Sequence, residues 1–119
     1  MTTTKDDGAM PIEFEDFLKV DIRTGTVVEA ALNAKARVPA YVLKVDFGEL
    51  GMKTSSAQIT GNYQPDDLVG KQVVAVVNFA AKRVAGVKSE VLILGAVSDA
   101  SSVVLLEPTF AVENGSRIS

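Results

Sequence analysis

Cysteine, histidine and tryptophan are absent from this chain of 119 residues, and only 6% of it is aromatic. Without thiols there are no disulfides, thiolate zinc sites or cysteine nucleophiles. Without imidazole the commonest general base and the commonest transition-metal ligand are both missing. No apolar run approaches the roughly 20 residues that a helix needs to cross a bilayer, so membrane insertion is not expected. The opening residues, MTTTKDDGAMP, are polar and acidic and do not read as a secretory signal, which points to the cytoplasm. No glycine-rich phosphate loop of the P-loop or dinucleotide type occurs. These absences argue against an enzyme and against a bound metal or cofactor.

What is present suits one small domain. Hydrophobic residues make up 47% of the chain, enough for a real core without covalent staples. The net charge of −3 hides an asymmetry. Residues 1–16 set Lys5 against Asp6, Asp7, Glu13, Glu15 and Asp16, a balance of −4, whereas residues 17–97 carry a balance of +3 and residues 98–119 one of −2. The body of the domain is therefore mildly basic once its acidic start is set aside.

Residues 1–10 lack apolar periodicity and read as a disordered lead, with the folded domain spanning 11–119. In PIEFEDFLK, Pro11 suits a first helical turn, and Phe14, Phe17 and Leu18 form an apolar stripe. The period then changes to two. Val20 and Ile22 begin a long strand, Gly25 interrupts it, and Val27 and Val28 resume in another phase, which predicts a bulge or bend at the glycine. Tyr41, Leu43, Val45 and Phe47 alternate as a half-buried strand. KTSSAQI makes a short strand ending at Ile59. Pro65, Asp66 and Asp67 precede Leu68 at a short helix closed by Gly70. KQVVAVVNF (71–79) is apolar on both faces, as a central strand is. SEVLILGAV and VVLLEP form a further pair joined across SDASS. This layout predicts an all-β fold: a five-stranded Greek-key barrel of the oligonucleotide/oligosaccharide-binding type, with short helices and an N-terminal helical turn. A β-sandwich is the fallback.

Carboxylates offer little chemistry here. Asp66 and Asp67 read as helix caps and Glu49 as a turn residue. The binding candidates are richer. Lys35 and Arg37 lie in the loop after the first strand, and Lys82, Arg83 and Lys88 lie in AAKRVAGVKSE, read as a flexible loop between two strands. On this topology both segments border one face, and together they would form an electropositive groove for phosphates. Asn78 is either a strand-end hydrogen-bonder or a ligand contact. Ser56 and Gln58 share a strand face and offer donors and acceptors to bases or sugar hydroxyls, or simply form a polar outer face. Ser89 and Glu90 precede a very apolar strand and mark its start. Exposed aromatics are scarce, which favours a folded RNA with a few flipped bases over generic single-strand binding. A carbohydrate-binding barrel is a weaker alternative, because tryptophan is missing.

DFLKVDIRTGTVVEA, KARVPAYVLKVDFG, KTSSAQIT, YQPDDLVGKQVVAVVNFAAKRVAGVKSEVLILGA, VVLLEP and VENGSRI, in this order, resemble the CsaA-type tRNA-binding-domain proteins. The same domain is appended to some methionyl- and phenylalanyl-tRNA synthetases. The resemblance spans residues 14–119. It implies a non-catalytic tRNA-binding homodimer, and a site that matches Lys35, Arg37, Gln58, Asn78, Lys82, Arg83, Ser89 and Glu90. It also implies a chaperone role towards exported preproteins and the secretion machinery, which nothing in the residues themselves requires. Val91 and Leu92 depart from the glycine and methionine that related domains often carry there. The segments Pro11–Leu18 and Glu107–Ile118 would be available to cover a neighbouring copy.

Overall fold

The computed structural model describes residues 10–119, so the expected disordered lead lies, apart from Met10, outside the described residues. In chain order the elements are α1 (Phe14–Leu18), β1 (Ile22–Leu32), β2 (Tyr41–Asp46), a 3-10 turn (Gly48–Leu50), β3 (Met52–Ala57) and α2 (Pro65–Leu68). Further along lie β4 (Gln72–Val76), β5 (Lys82–Val84), β6 (Val87–Ser89), β7 (Leu92–Ile93), β8 (Gly95–Ser98) and β9 (Ser102–Leu105). Five of the strands form one antiparallel sheet in the order β3-β2-β1-β4-β7, curled into a nearly closed barrel of the expected oligonucleotide-binding type. Two hairpins, β5–β6 and β8–β9, stand outside that sheet. The β-sandwich alternative falls away.

One long strand organises the barrel. The first half of β1 pairs with β4 and its second half with β2. The register with β2 shifts between Val27 and Glu29, so the bulge sits at Val28 and not at Gly25. Gly25 answers a different need. A Cβ there would lie 2.7 Å from Val45 Cγ1 and 2.8 Å from the Phe47 ring, so only a residue without a side chain lets the sheet fold this tightly over its core.

The alternation of Tyr41, Leu43, Val45 and Phe47 sends all four inward, where they meet Val27, Val73, Ala75 and Val91. The short helix α2 lies between β3 and β4, as expected, and drives a fully buried Leu68 into the same core. Its start is fixed by a capping box in which Asp67 Oδ2 accepts from the Gln64 N–H at 3.0 Å, the structural work expected of that acidic pair. Strand β4 has partners on both edges and buries Val73, Val74, Ala75 and Val76, which explains why it is apolar on both faces. The run 89–97, read as one strand, is two: β7 stays with β4, and β8 turns away to pair with β9.

The C-terminal segment belongs to this chain's own sheet. Where β2 leaves β1, residues 115–118 replace it: the Thr24 N–H donates to Ser116 O at 3.0 Å and the Ile118 N–H to Ile22 O at 2.8 Å. Side chains reinforce this join, with Thr24 Oγ1 donating to Glu113 O at 3.0 Å and Gln72 Nε2 to Val112 O at 2.7 Å. The N-terminal stripe behaves differently. The helix forms, but Phe14 is 70% exposed and Leu18 is 48% exposed, so its apolar side is left uncovered.

Gly25→Ala is expected to destabilise the fold by about 1–3 kcal/mol through overpacking against Val45 and Phe47, read as a lower denaturation midpoint with an unchanged slope.

Candidate nucleic-acid interface

Asn33 stands directly after β1 and shapes the loop that leaves it. Its N–H donates to Ala40 O at 2.9 Å, which closes the loop 33–40, and its Oδ1 accepts from the Lys35 N–H at 3.0 Å. This is the local turn that asparagine favours. Its Nδ2 donates across the chain to Ala85 O at 3.3 Å. One side chain thus folds the loop and pins it to a second segment. Asn33 is not among the residues that the sequence pattern singles out. Its position just after a strand, next to small residues and ahead of Pro39, was the available signal.

That second segment is ordered as a hairpin, which corrects the reading of 80–90 as a flexible loop. Ala85 (φ 47°) and Gly86 (φ 83°) are both left-handed, the backbone of a two-residue type I′ turn that matches strand twist. The strand pairs are Lys82 with Ser89, Arg83 with Lys88 and Val84 with Val87. Lys35 lies across the turn: a Cβ on Gly86 would sit 3.3 Å from Lys35 Cδ and 3.7 Å from its Nζ. Arg83 Nη1 donates to Gly86 O at 3.3 Å. The structure therefore brings Lys35, Arg83 and Lys88 into one neighbourhood, with Lys82 on the same hairpin and Arg37 in the adjoining loop.

Like charges placed directly across a strand pair repel, so Arg83 opposite Lys88 lowers stability. Among the described residues the salt bridges are Lys19–Asp16, Arg23–Asp21, Lys44–Glu29 and Lys71–Glu107. None involves Lys35, Arg37, Lys82, Arg83 or Lys88. These five cations therefore have no acidic side chain as partner among the described residues.

Beside the hairpin runs a groove of about 370 Å³ lined by Ser56, Phe79, Lys82, Ser89, Glu90 and Leu92. Phe79 and Leu92 are 57% and 49% exposed, which makes this groove apolar on one part and polar on another. Three of the residues singled out in the sequence turn out to be bonded internally. Ser89 Oγ accepts from the Ser56 N–H at 3.0 Å, and Glu90 Oε1 accepts from the Thr54 N–H at 3.0 Å. Asn78 is a clamp: Oδ1 accepts from the Asp21 N–H at 2.9 Å and Nδ2 donates to Lys19 O at 2.7 Å. Gln58 lies one residue past the end of β3, is exposed, and does not line the groove with Ser56. Among the described residues no group of three or more acidic side chains is placed to hold a metal ion, and no helix is long and apolar enough to cross a membrane.

A five-stranded Greek-key barrel with a helix between β3 and β4, and cation-bearing segments at one lip, defines the oligonucleotide/oligosaccharide-binding class. A family model described as "Putative tRNA binding domain" matches residues 22–117, and the chain belongs to that family. It superposes on the chaperone CsaA of Bacillus anthracis with a TM-score of 0.88 and 61% identity, covering 93% of this chain and all of that one. For the CsaA chaperone protein of Picrophilus torridus the values are 0.87 and 46%, covering 92% and 100%. It is also 39% identical over 107 residues to the methionine–tRNA ligase of Bacteroides fragilis, covering 90% of this chain but only 16% of that enzyme.

Asn78→Ala removes both bonds that hold the end of α1 and the start of β1 to the end of β4. Thermal unfolding should show a loss of about 1–2 kcal/mol, at about 1 kcal/mol per hydrogen bond.

Proposed function

We propose that this chain is a non-catalytic, cytoplasmic RNA-binding protein that takes tRNA or a similarly folded RNA on the face formed by loop 33–40 and hairpin β5–β6. The observation that carries this reading is the pinning of that loop to the hairpin turn by Asn33, which gathers unpaired cations on adjoining segments. Lys35, Arg37, Lys82, Arg83 and Lys88 supply phosphate contacts, which position the RNA. Ser56 and Gln58 offer groups to sugars or base edges. Asn78, Ser89 and Glu90 act mainly by holding the surrounding backbone. Membership of a tRNA-binding family supports the choice of ligand. Residues 11–119 form the binding domain and 1–10 its lead.

The protein works as a homodimer in this reading. Ile12, Phe14 and Phe110, at 70%, 70% and 81% exposure, support it, since single copies rarely leave so many large apolar side chains bare. A second reading, a chaperone that holds unfolded or exported proteins for secretion, is supported by the likeness to two CsaA chaperones and by the exposed Phe79 and Leu92.

Binding of tRNA titrated at several salt concentrations should weaken steeply as salt rises. Arg37→Ala and Arg83→Ala should each lower the magnitude of the log-affinity against log-salt slope by about 0.7 to 0.9. Binding that ignores salt, or that survives both changes intact, contradicts the RNA reading and favours the chaperone. Light scattering at micromolar concentration should give about twice the chain mass of 12.6 kDa, and a monomer there contradicts the dimer.

A further inference from the structure

We infer that the groove beside β5–β6 holds one unpaired nucleotide whose base carries an exocyclic amine. The inference rests on the RNA reading above and adds the kind of nucleotide the site selects.

Three features of the groove converge. The first is Phe79, 57% exposed while Tyr41 and Phe47 are buried. It directly succeeds Asn78, whose two hydrogen bonds anchor the backbone there. An exposed aromatic ring on an anchored backbone, beside Lys82, is a stacking platform for an unstacked base, and Leu92 adds apolar surface to the same groove. The second is Lys82, which lines the groove and, among the described residues, makes no salt bridge, leaving it free for the adjoining phosphate. The third is Glu90. Its N–H donates to Thr54 O at 2.8 Å and its Oε1 accepts from the Thr54 N–H at 3.0 Å, so the carboxylate is fixed. Its Oε2 accepts no hydrogen bond among the described residues.

A carboxylate oxygen has only acceptor capacity. Adenine N6, cytosine N4 and guanine N2 are exocyclic amine donors that satisfy it, whereas uracil has no exocyclic amine and its O4 is an acceptor that the carboxylate repels. A volume of about 370 Å³ sits at the small end of ligand sites, suited to one nucleotide and too small for a duplex. Charge complementarity selects a nucleotide over an apolar peptide as occupant, because Lys82 offers a cation to the phosphate and Glu90 an acceptor to the base within the same groove.

The test uses the full chain with fluorescently labelled single-stranded oligo-A, oligo-C and oligo-U of equal length at one salt concentration, and with folded tRNA. Oligo-A and oligo-C should bind about tenfold more tightly than oligo-U. Phe79→Ala should weaken oligo-A binding by about tenfold with Tm unchanged, and Phe79→Tyr should restore it. Glu90→Gln keeps an acceptor for the Thr54 N–H but turns an amine towards the groove, so it should cancel or reverse the preference over oligo-U. Equal binding of all three oligomers, indifferent to Phe79→Ala, overturns the inference while leaving tRNA binding and the RNA reading intact. Absence of binding to tRNA as well overturns both. Phe79-dependent binding of an apolar peptide in place of every oligomer also overturns it.

Discussion

Thr54 and Glu90 exchange a pair of hydrogen bonds that joins the two ends of the sheet, one through the Glu90 backbone and one through its carboxylate. A five-stranded sheet otherwise leaves β3 with a bare edge, and an unpaired row of N–H and C=O groups is an invitation to foreign strands. The serines continue the join: Ser56 donates its N–H to Ser89 Oγ, and Ser55, 1% exposed, donates its hydroxyl to Val91 O at 3.1 Å. Side-chain oxygens thus stand where a neighbouring strand's carbonyls would. The barrel is sealed by residues at and just beyond the end of β6, and this fixes where the hairpin leaves the body.

That closure dictates where the proposed RNA face stands. Because Ser89 and Glu90 are tied to β3, hairpin β5–β6 must project from the lip of the barrel, and its Ala85-Gly86 turn reaches loop 33–40. Asn33 then locks the two together and lays the stem of Lys35 over Gly86. Cations that a flexible chain would keep apart are held in register, so less ordering is required when an anion arrives. The opposite end of β1 is completed by the chain's own residues 115–118, which leaves the exposed apolar side chains of α1 and Phe110 for a different use.

Much of this was legible in the sequence, and the gaps have physical causes. Alternation at Tyr41–Phe47 marks a strand because burial on one face repeats every second residue, and KQVVAVVNF marks a central strand because both its faces are covered. The phase break near Gly25 is real, but its cause is split between two residues: a bulge at Val28 and a close approach of Val45 and Phe47 to Gly25. Hairpin β5–β6 escaped because three-residue strands are too short for a periodic signal, although the left-handed pair Ala85-Gly86 is a turn in retrospect. Asn78 is legible as a strand-end hydrogen-bonder, but the partners of Asn78 and Glu90 are not. Their partners are backbone groups 57 and 36 residues away, and a backbone acceptor or donor leaves no mark on composition.

The central claim is that loop 33–40 and hairpin β5–β6 form a single face for RNA. Backbone hydrogen exchange, mapped along the whole chain with and without saturating tRNA, tests it most directly. New protection is expected across residues 33–40 and 79–92 together, with the β8–β9 hairpin at 95–105 unchanged. Protection confined to residues 10–18 and 106–112, with the loop and hairpin exchanging as in the free protein, would contradict it.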